Sequence, residues 1–340
     1  MAAGLETIVA NALGWSLSHF NHVRFLTLLA MAAIVLVGMA LALSQFCMVR
    51  SVLSIRTGDL SPARCVLAIS LAIALSLQLL AVVDGGETRP SYTPSIAVVL
   101  GGLVFGIAAR ANGGCFIGTL NELCRGHWRR LYTVAGWILG FALLKVPPLP
   151  SHVQRPGEVV VVVLALAGLL LLLSLLAMRR RQEFRPNPAL HGLRGGRAWG
   201  VMLITGVLTG LLHHSDWPWA PSRLATYLGR ALHGEGVPVS AACALLLPLG
   251  MVIMHRWRRL VQPKRVVKAD LPLLLWGTLM GLGTVWGMGA NDGYLFRFLP
   301  VGSLHAAVGL TAMSAGILLP LEIAAASKRG SPASPAETLR

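Results

Sequence analysis

The amino-acid sequence predicts an all-α integral membrane protein of about nine transmembrane helices, joined by short helices that enter the membrane without crossing it. Three observations lead there. Of the 340 residues, 55% are hydrophobic and only 12% charged, and the mean hydropathy of +0.69 lies outside the range of soluble globular domains. The apolar residues fall in continuous runs, such as Glu158 to Met178 and Val237 to Met254, long enough to cross a hydrocarbon core of roughly 30 Å. Those runs are rich in Leu, Ala and Gly and lack the polar/apolar alternation of a membrane barrel, so helices are the spanning elements.

Taken in order, spans are expected at 25–43, 65–83, 95–112, 131–147, 158–178, 199–213, 237–255, 271–289 and 303–326, each bounded by charge, proline or a polar turn. Residues 1–24 lack the basic start, short apolar stretch and cleavage site of a secretory leader, so the first span is expected to stay as an anchor. Four segments are neither polar enough for loops nor long enough to cross: Ser44–Ile55, Cys115–Arg125, Ala220–Leu232 and Tyr294–Leu299. They read as short helices that dip into the membrane or lie at its surface.

The net charge of +16 sits in short connections between spans and not on a separate basic domain, so nucleic acid is not an expected partner. The basic residues instead set orientation. Arg179, Arg180, Arg181, Arg185, Arg194 and Arg197 crowd one connection, and Arg256, Arg258, Arg259, Lys264, Arg265 and Lys268 another. Both are expected in the cytoplasm, with the acidic Asp84–Glu87 stretch and the proline-rich Val146–Pro156 turn on the other side. The expected organisation is an extracytoplasmic N-terminal segment over 1–24, a first membrane repeat over 25–178, a basic cytoplasmic linker over 179–198, a second repeat over 199–326 and a cytoplasmic tail over 327–340.

The two repeats are visible in glycines. Set without a gap against Gly277–Leu295, the segment Gly102–Leu120 places Gly102, Gly106, Gly114, Gly118 and Leu120 on Gly277, Gly281, Gly289, Gly293 and Leu295. Gly38–Ser51 aligns more weakly with Gly210–Arg223, pointing to duplication of the whole unit. Five spans, an odd number, separate the starts of the two units, so the halves are expected in opposite orientations. Inverted repeats with discontinuous helices are a transporter and channel arrangement, with the path at the repeat interface.

Chemistry is expected at the breaks. Asn112-Gly113-Gly114-Cys115 interrupts the third span with glycines and puts a thiol at the interruption. The short helix that follows aims its N-terminal amides and partial positive charge at the break, so an anion is its natural occupant. The plainer reading is that these glycines only let helices pack closely and that Cys115 fills space. A second thiol, Cys47, stands in Ser44-Gln45-Phe46-Cys47-Met48 at the cytoplasmic end of the first span. The five cysteines form no CxxC pair, and their odd number does not complete a disulfide framework.

The Ser-Gln-Phe-Cys-Met stretch and the later Gly-Ile-Ala-Ala-Arg-Ala-Asn-Gly-Gly-Cys-Phe-Ile-Gly stretch resemble the paired signatures of the YeeE/YedE family of sulfur transport proteins. The resemblance implies a nine-span, hourglass-like fold in the bacterial inner membrane. It implies a permease, not an enzyme, for a small sulfur-containing anion, with thiosulfate the leading substrate and no cofactor. Cys47 and Cys115 match the family's functional cysteines, which would contact the terminal sulfur in turn. Other readings are a permease for a different sulfur or selenium species, a membrane sulfur-relay enzyme with a persulfide on Cys115, or a subunit that recruits a cytoplasmic sulfurtransferase.

One departure from the family stands out. Members commonly carry a further Gly-Cys in the second half, but here Gly289-Ala290-Asn291-Asp292-Gly293 puts Ala290 opposite Cys115, and the weaker alignment puts Trp219 opposite Cys47. Asn112, Gly113, Gly114, Gly289, Ala290, Asn291 and Asp292 complete the expected substrate path. Asp292, an acid beside an intramembrane break, is a functional candidate by default, or an N-cap on Tyr294–Leu299. Glu122 is expected to meet an arginine or to sit among lipid headgroups. His213, His214 and Asp216 lack a third firm ligand for a metal. Trp217 and Trp219 fit an interfacial aromatic belt, and Cys65 and Cys243 fit packing within ordinary spans.

Overall fold

The computed structural model describes residues 17–83, 90–144, 151–153, 196–215, 217, 219–237, 239–259 and 270–330. The expected fifth span, 158–178, most of the linker 179–198, Asp216 and the basic stretch 260–269 lie outside them. Helices α1 (Leu17–Ser44), α2 (Met48–Arg56), α3 (Ser61–Val83), α4 (Ile96–Asn112), α5 (Phe116–Cys124) and α6 (Arg130–Leu143) form a first series. A second series runs α7 (Gly196–His214), α8 (Pro221–Ala231), α9 (Leu246–Trp257, entered through a 3-10 turn over Val239–Leu245), α10 (Leu271–Gly287), α11 (Asn291–Phe298) and α12 (Leu304–Gly330).

Among the described residues, four helical stretches are long and apolar enough to cross a membrane, and five if α10 and α11, bent by 47° at their break, count as one span. The apolar stretches Arg130–Leu143, Gly200–His214 and Ala241–Trp257 are shorter. The protein is thus a multi-pass helical membrane protein. Helix α1 ends at Ser44 and Cys47 caps α2, so the thiol stands where the first long helix ends. One detail differs from the sequence reading. The all-α expectation misses a small antiparallel clasp, Pro90–Tyr92 with Val153–Ser151, which pairs the backbone of two connections that the charge pattern places on the same side.

Without a hydrophobic drive between lipid-bathed helices, association rests on close packing, and glycine supplies it. A Cβ on Gly102 would lie 2.8 Å from that of Ala312, and one on Gly106 2.2 Å from the Met313 carbonyl oxygen, so these residues seat α12 against α4. Gly277 and Gly281 do the same for α6 against α10, with the Thr133 and Trp137 carbonyl oxygens 2.3 and 2.6 Å away. At the α4–α10 crossing, Gly101 meets Gly287 while Gly283 meets Phe105, so these two helices run antiparallel. The plainer reading of the glycine skeleton therefore holds at Gly102, Gly106, Gly277 and Gly281.

Helix partners follow a rule. The pairs α1–α9, α4–α12, α2–α12 and α5–α9 have the counterparts α7–α3, α10–α6, α8–α6 and α11–α3. Each counterpart is obtained by moving every helix six places along the chain and wrapping round. Each long helix of one series thus packs against a long helix of the other.

Candidate thiol site at the helix breaks

Four short helices begin at breaks, and their N-caps are Cys47 for α2, Cys115 for α5, Ala220 for α8 and Ala290 for α11. All four caps have extended backbone and none caps its helix with its own side chain, which leaves first-turn amides available. Judged by cap position, the residue opposite Cys47 is Ala220. The gapless alignment that chose Trp219 slips by one because the second break is longer.

The two thiols meet. Cys115 and Cys47 have their sulfurs 3.9 Å apart; Cys115 is fully buried and Cys47 half-buried. Each sulfur stands at the start of a short helix, Cys47 before α2 and Cys115 before α5. Two soft sulfurs thus meet where two helices start. Gly118 makes the room, since a Cβ there would stand 2.7 Å from the Cys47 sulfur.

The break that carries Cys115 is held by local geometry. Gly113 takes φ +77, the left-handed conformation that ends helices, and the Gly114 amide returns to the Ala109 carbonyl at 3.0 Å. Asn112, expected on the path, is a brace. Its amide nitrogen donates to the Gly114 carbonyl and the Thr119 hydroxyl, both at 2.9 Å. Its side-chain oxygen accepts from Arg130 at 3.0 Å and from the Thr133 hydroxyl at 2.8 Å, and Arg130 also donates to its backbone carbonyl. Asn112, Arg129 and Arg130 line a cavity of about 340 Å³ with Glu122, His127, Trp128 and Leu273, so the brace separates the thiol break from a recess on the arginine-rich face.

The second break repeats the backbone and changes the side chains. Met288 takes the left-handed position of Gly113, and the Gly289 amide returns to Thr284 as that of Gly114 does to Ala109. Where Asn112 bonds Thr119, the Tyr294 hydroxyl donates to the Gly287 carbonyl, at the same pair of alignment positions. A Cβ on Gly289 would lie 2.5 Å from the Tyr294 ring, so glycine there admits the ring that closes the break.

Asp292 does not cap Tyr294–Leu299, because α11 starts at Asn291. It is fully buried, and its two oxygens accept from the Ser222 amide at 3.0 Å and the Gly293 amide at 2.9 Å. Its carboxylate therefore sits on the first turn of the neighbouring α8. Asn291 is also fully buried, and its amide has no hydrogen-bond partner among the described residues. Trp219 is not interfacial: at 1% exposure it packs on Phe296 and His213 with ring centroids 5.7 and 5.5 Å away. Phe296 in turn lies 5.2 Å from Phe46, so an aromatic row runs from the second half to the residue before Cys47.

Away from these breaks, Glu122 accepts from Arg125 at 3.0 Å and sits 2.6 Å from His127 Nδ1, so it meets an arginine and not only lipid. Cys65 and Cys243 are half-buried free thiols in α3 and the 3-10 turn. Sequence reading missed Gly118 as the space-maker and Thr119, Arg130 and Thr133 as the partners of Asn112. A hydrogen-bonding residue at the alignment position of both Thr119 and Tyr294 was the available signal. A comparison with curated proteins gave no match. The family model described as sulphur transport matches residues 43–212, half of the chain, including both thiols and the whole of α4 and α5.

Proposed function

Because the chain belongs to the sulphur transport family, we propose that it is an inner-membrane permease that passes a small sulfur-containing anion, thiosulfate foremost, between two inverted halves. The observation that carries this reading is the thiol pair 3.9 Å apart at the starts of two short helices. Thiosulfate has one soft terminal sulfur and an oxyanion end. Thiols offer weak S–H contacts to the sulfur, while amides at helix starts carry the charge without bringing a full counter-charge that would trap it. Weak paired contacts favour passage.

The exchange rule among helix pairs and the antiparallel crossing of α4 with α10 support an inverted two-fold relation between the series, with the path on its axis. In that arrangement nine spans put the N-terminus outside and the C-terminus in the cytoplasm. The cavity beside Asn112 then lies on the cytoplasmic side and serves as the exit, where a sulfurtransferase can receive the imported sulfur.

The test is uptake of labelled thiosulfate into proteoliposomes containing the purified chain. Saturable uptake that unlabelled thiosulfate inhibits and sulfate does not is the expected result, because sulfate has the charge but not the soft sulfur. Equal inhibition by sulfate would remove the thiols from the account.

A further inference from the structure

Among the described residues, Asp292 is the only buried carboxylate, and it stands where the family pattern and the first half offer no acid. Its oxygens accept from two backbone amides, and no Lys, Arg or His of the described residues pairs with it. A carboxylate in a membrane interior without a counter-charge is costly. It also lies on α11, which packs against α8 and against α5, the helix that Cys115 caps.

We propose that Asp292 is a proton-binding site that couples anion entry to the inward movement of a proton. The inference rests on the permease reading above. An anion at the thiol pair and a charged Asp292 repel each other across a medium of low dielectric, and a proton on Asp292 removes that repulsion. Proton and anion therefore each favour binding of the other, which is the linkage a symporter needs. In the first half the helix start at α2 looks onto thiols; in the second, Asp292 occupies the start of α8. One half receives the anion and the other receives the proton.

Helix α11 also packs against α3 and α12, and the other chargeable groups on the packed elements are Arg64 and Cys65 of α3, Arg223, Tyr227 and Arg230 of α8, Glu122, Cys115 and Cys124 at α5, His305 and Glu322 of α12, and Tyr294 and Arg297 of α11 itself. Glu122 is engaged by Arg125 and His127, Arg230 lies 3.9 Å from Glu235, and the Tyr294 hydroxyl is held by Gly287. His305 of α12 is fully buried against the Tyr294 ring, so it is the second group on these elements that can answer to a proton gradient, and a gradient response that survives in Asp292→Asn assigns the proton there.

The experiment uses the full chain in proteoliposomes with the membrane potential clamped at zero. Exchange of internal for external labelled thiosulfate at equal pH measures the permease activity itself. Acidifying the outside should then raise steady-state accumulation, up to about tenfold per pH unit for one proton per anion. In Asp292→Asn the ratio of accumulation with and without the gradient should fall to one, whatever its exchange rate, and Asp292→Glu should restore the dependence. Parent protein that exchanges thiosulfate but ignores the gradient overturns the coupling and leaves the permease reading standing, as does a gradient response retained in Asp292→Asn. Parent protein without exchange overturns both. The parent measurement decides the matter even where a variant fails to fold.

Discussion

Gly118 ties the sequence to the chemistry through a single missing carbon. With a Cβ 2.7 Å from the Cys47 sulfur, Gly118→Ala must push that thiol away from Cys115, and uptake should fall by roughly an order of magnitude, equivalent to about 1.4 kcal/mol. Cys65→Ser and Cys243→Ser touch neither sulfur of the pair and should leave initial uptake rates at the parent level. Asn112 acts on stability instead: Asn112→Ala strips the partners from Arg130, Thr133 and Thr119. A loss of about 1–3 kcal/mol is expected, read as a lower unfolding temperature in detergent. At this scale the sequence exposed the thiols and glycines, because residue type alone marks them. It could not expose the brace, since the partners of Asn112 come from another helix and pairing across helices leaves no local trace.

At the scale of elements, the breaks were legible and their registers less so. Glycine clusters inside apolar runs announce an interrupted span wherever they occur, and all four expected short segments form helices. The cap opposite Cys47 was misplaced by one residue, because a gapless alignment cannot register the longer connection between α7 and α8. Trp219 was drawn to the interface by its type, whereas the connection leading into α8 turns it inward against Phe296. The antiparallel crossing of α4 and α10 yields its own prediction. Gly101→Leu forces a branched side chain onto the Gly287 backbone, where even a Cβ would lie 2.2 Å from the amide nitrogen. Folded yield in detergent should collapse, whereas Gly200→Leu, with no atom within 4 Å of the corresponding Cβ, should be tolerated.

For the whole molecule, the membrane class followed from composition alone. The orientation reading predicts that single cysteines placed in 179–198 and 256–270 react with a membrane-impermeant thiol reagent only after the cells are opened, and that one placed before residue 25 reacts in intact cells. The reverse pattern would turn the path around and put the Asn112 cavity at the entrance. The thiol pair is the central claim, and Cys115→Ser tests it most directly, because serine keeps the size and a hydrogen-bond donor while removing the soft sulfur 3.9 Å from Cys47. Measured as labelled thiosulfate uptake by protein matched for membrane abundance and unfolding temperature, the variant should lose transport. If Cys115→Ser carries thiosulfate as fast as the parent, the sulfurs take no part in passage and the thiol account is wrong.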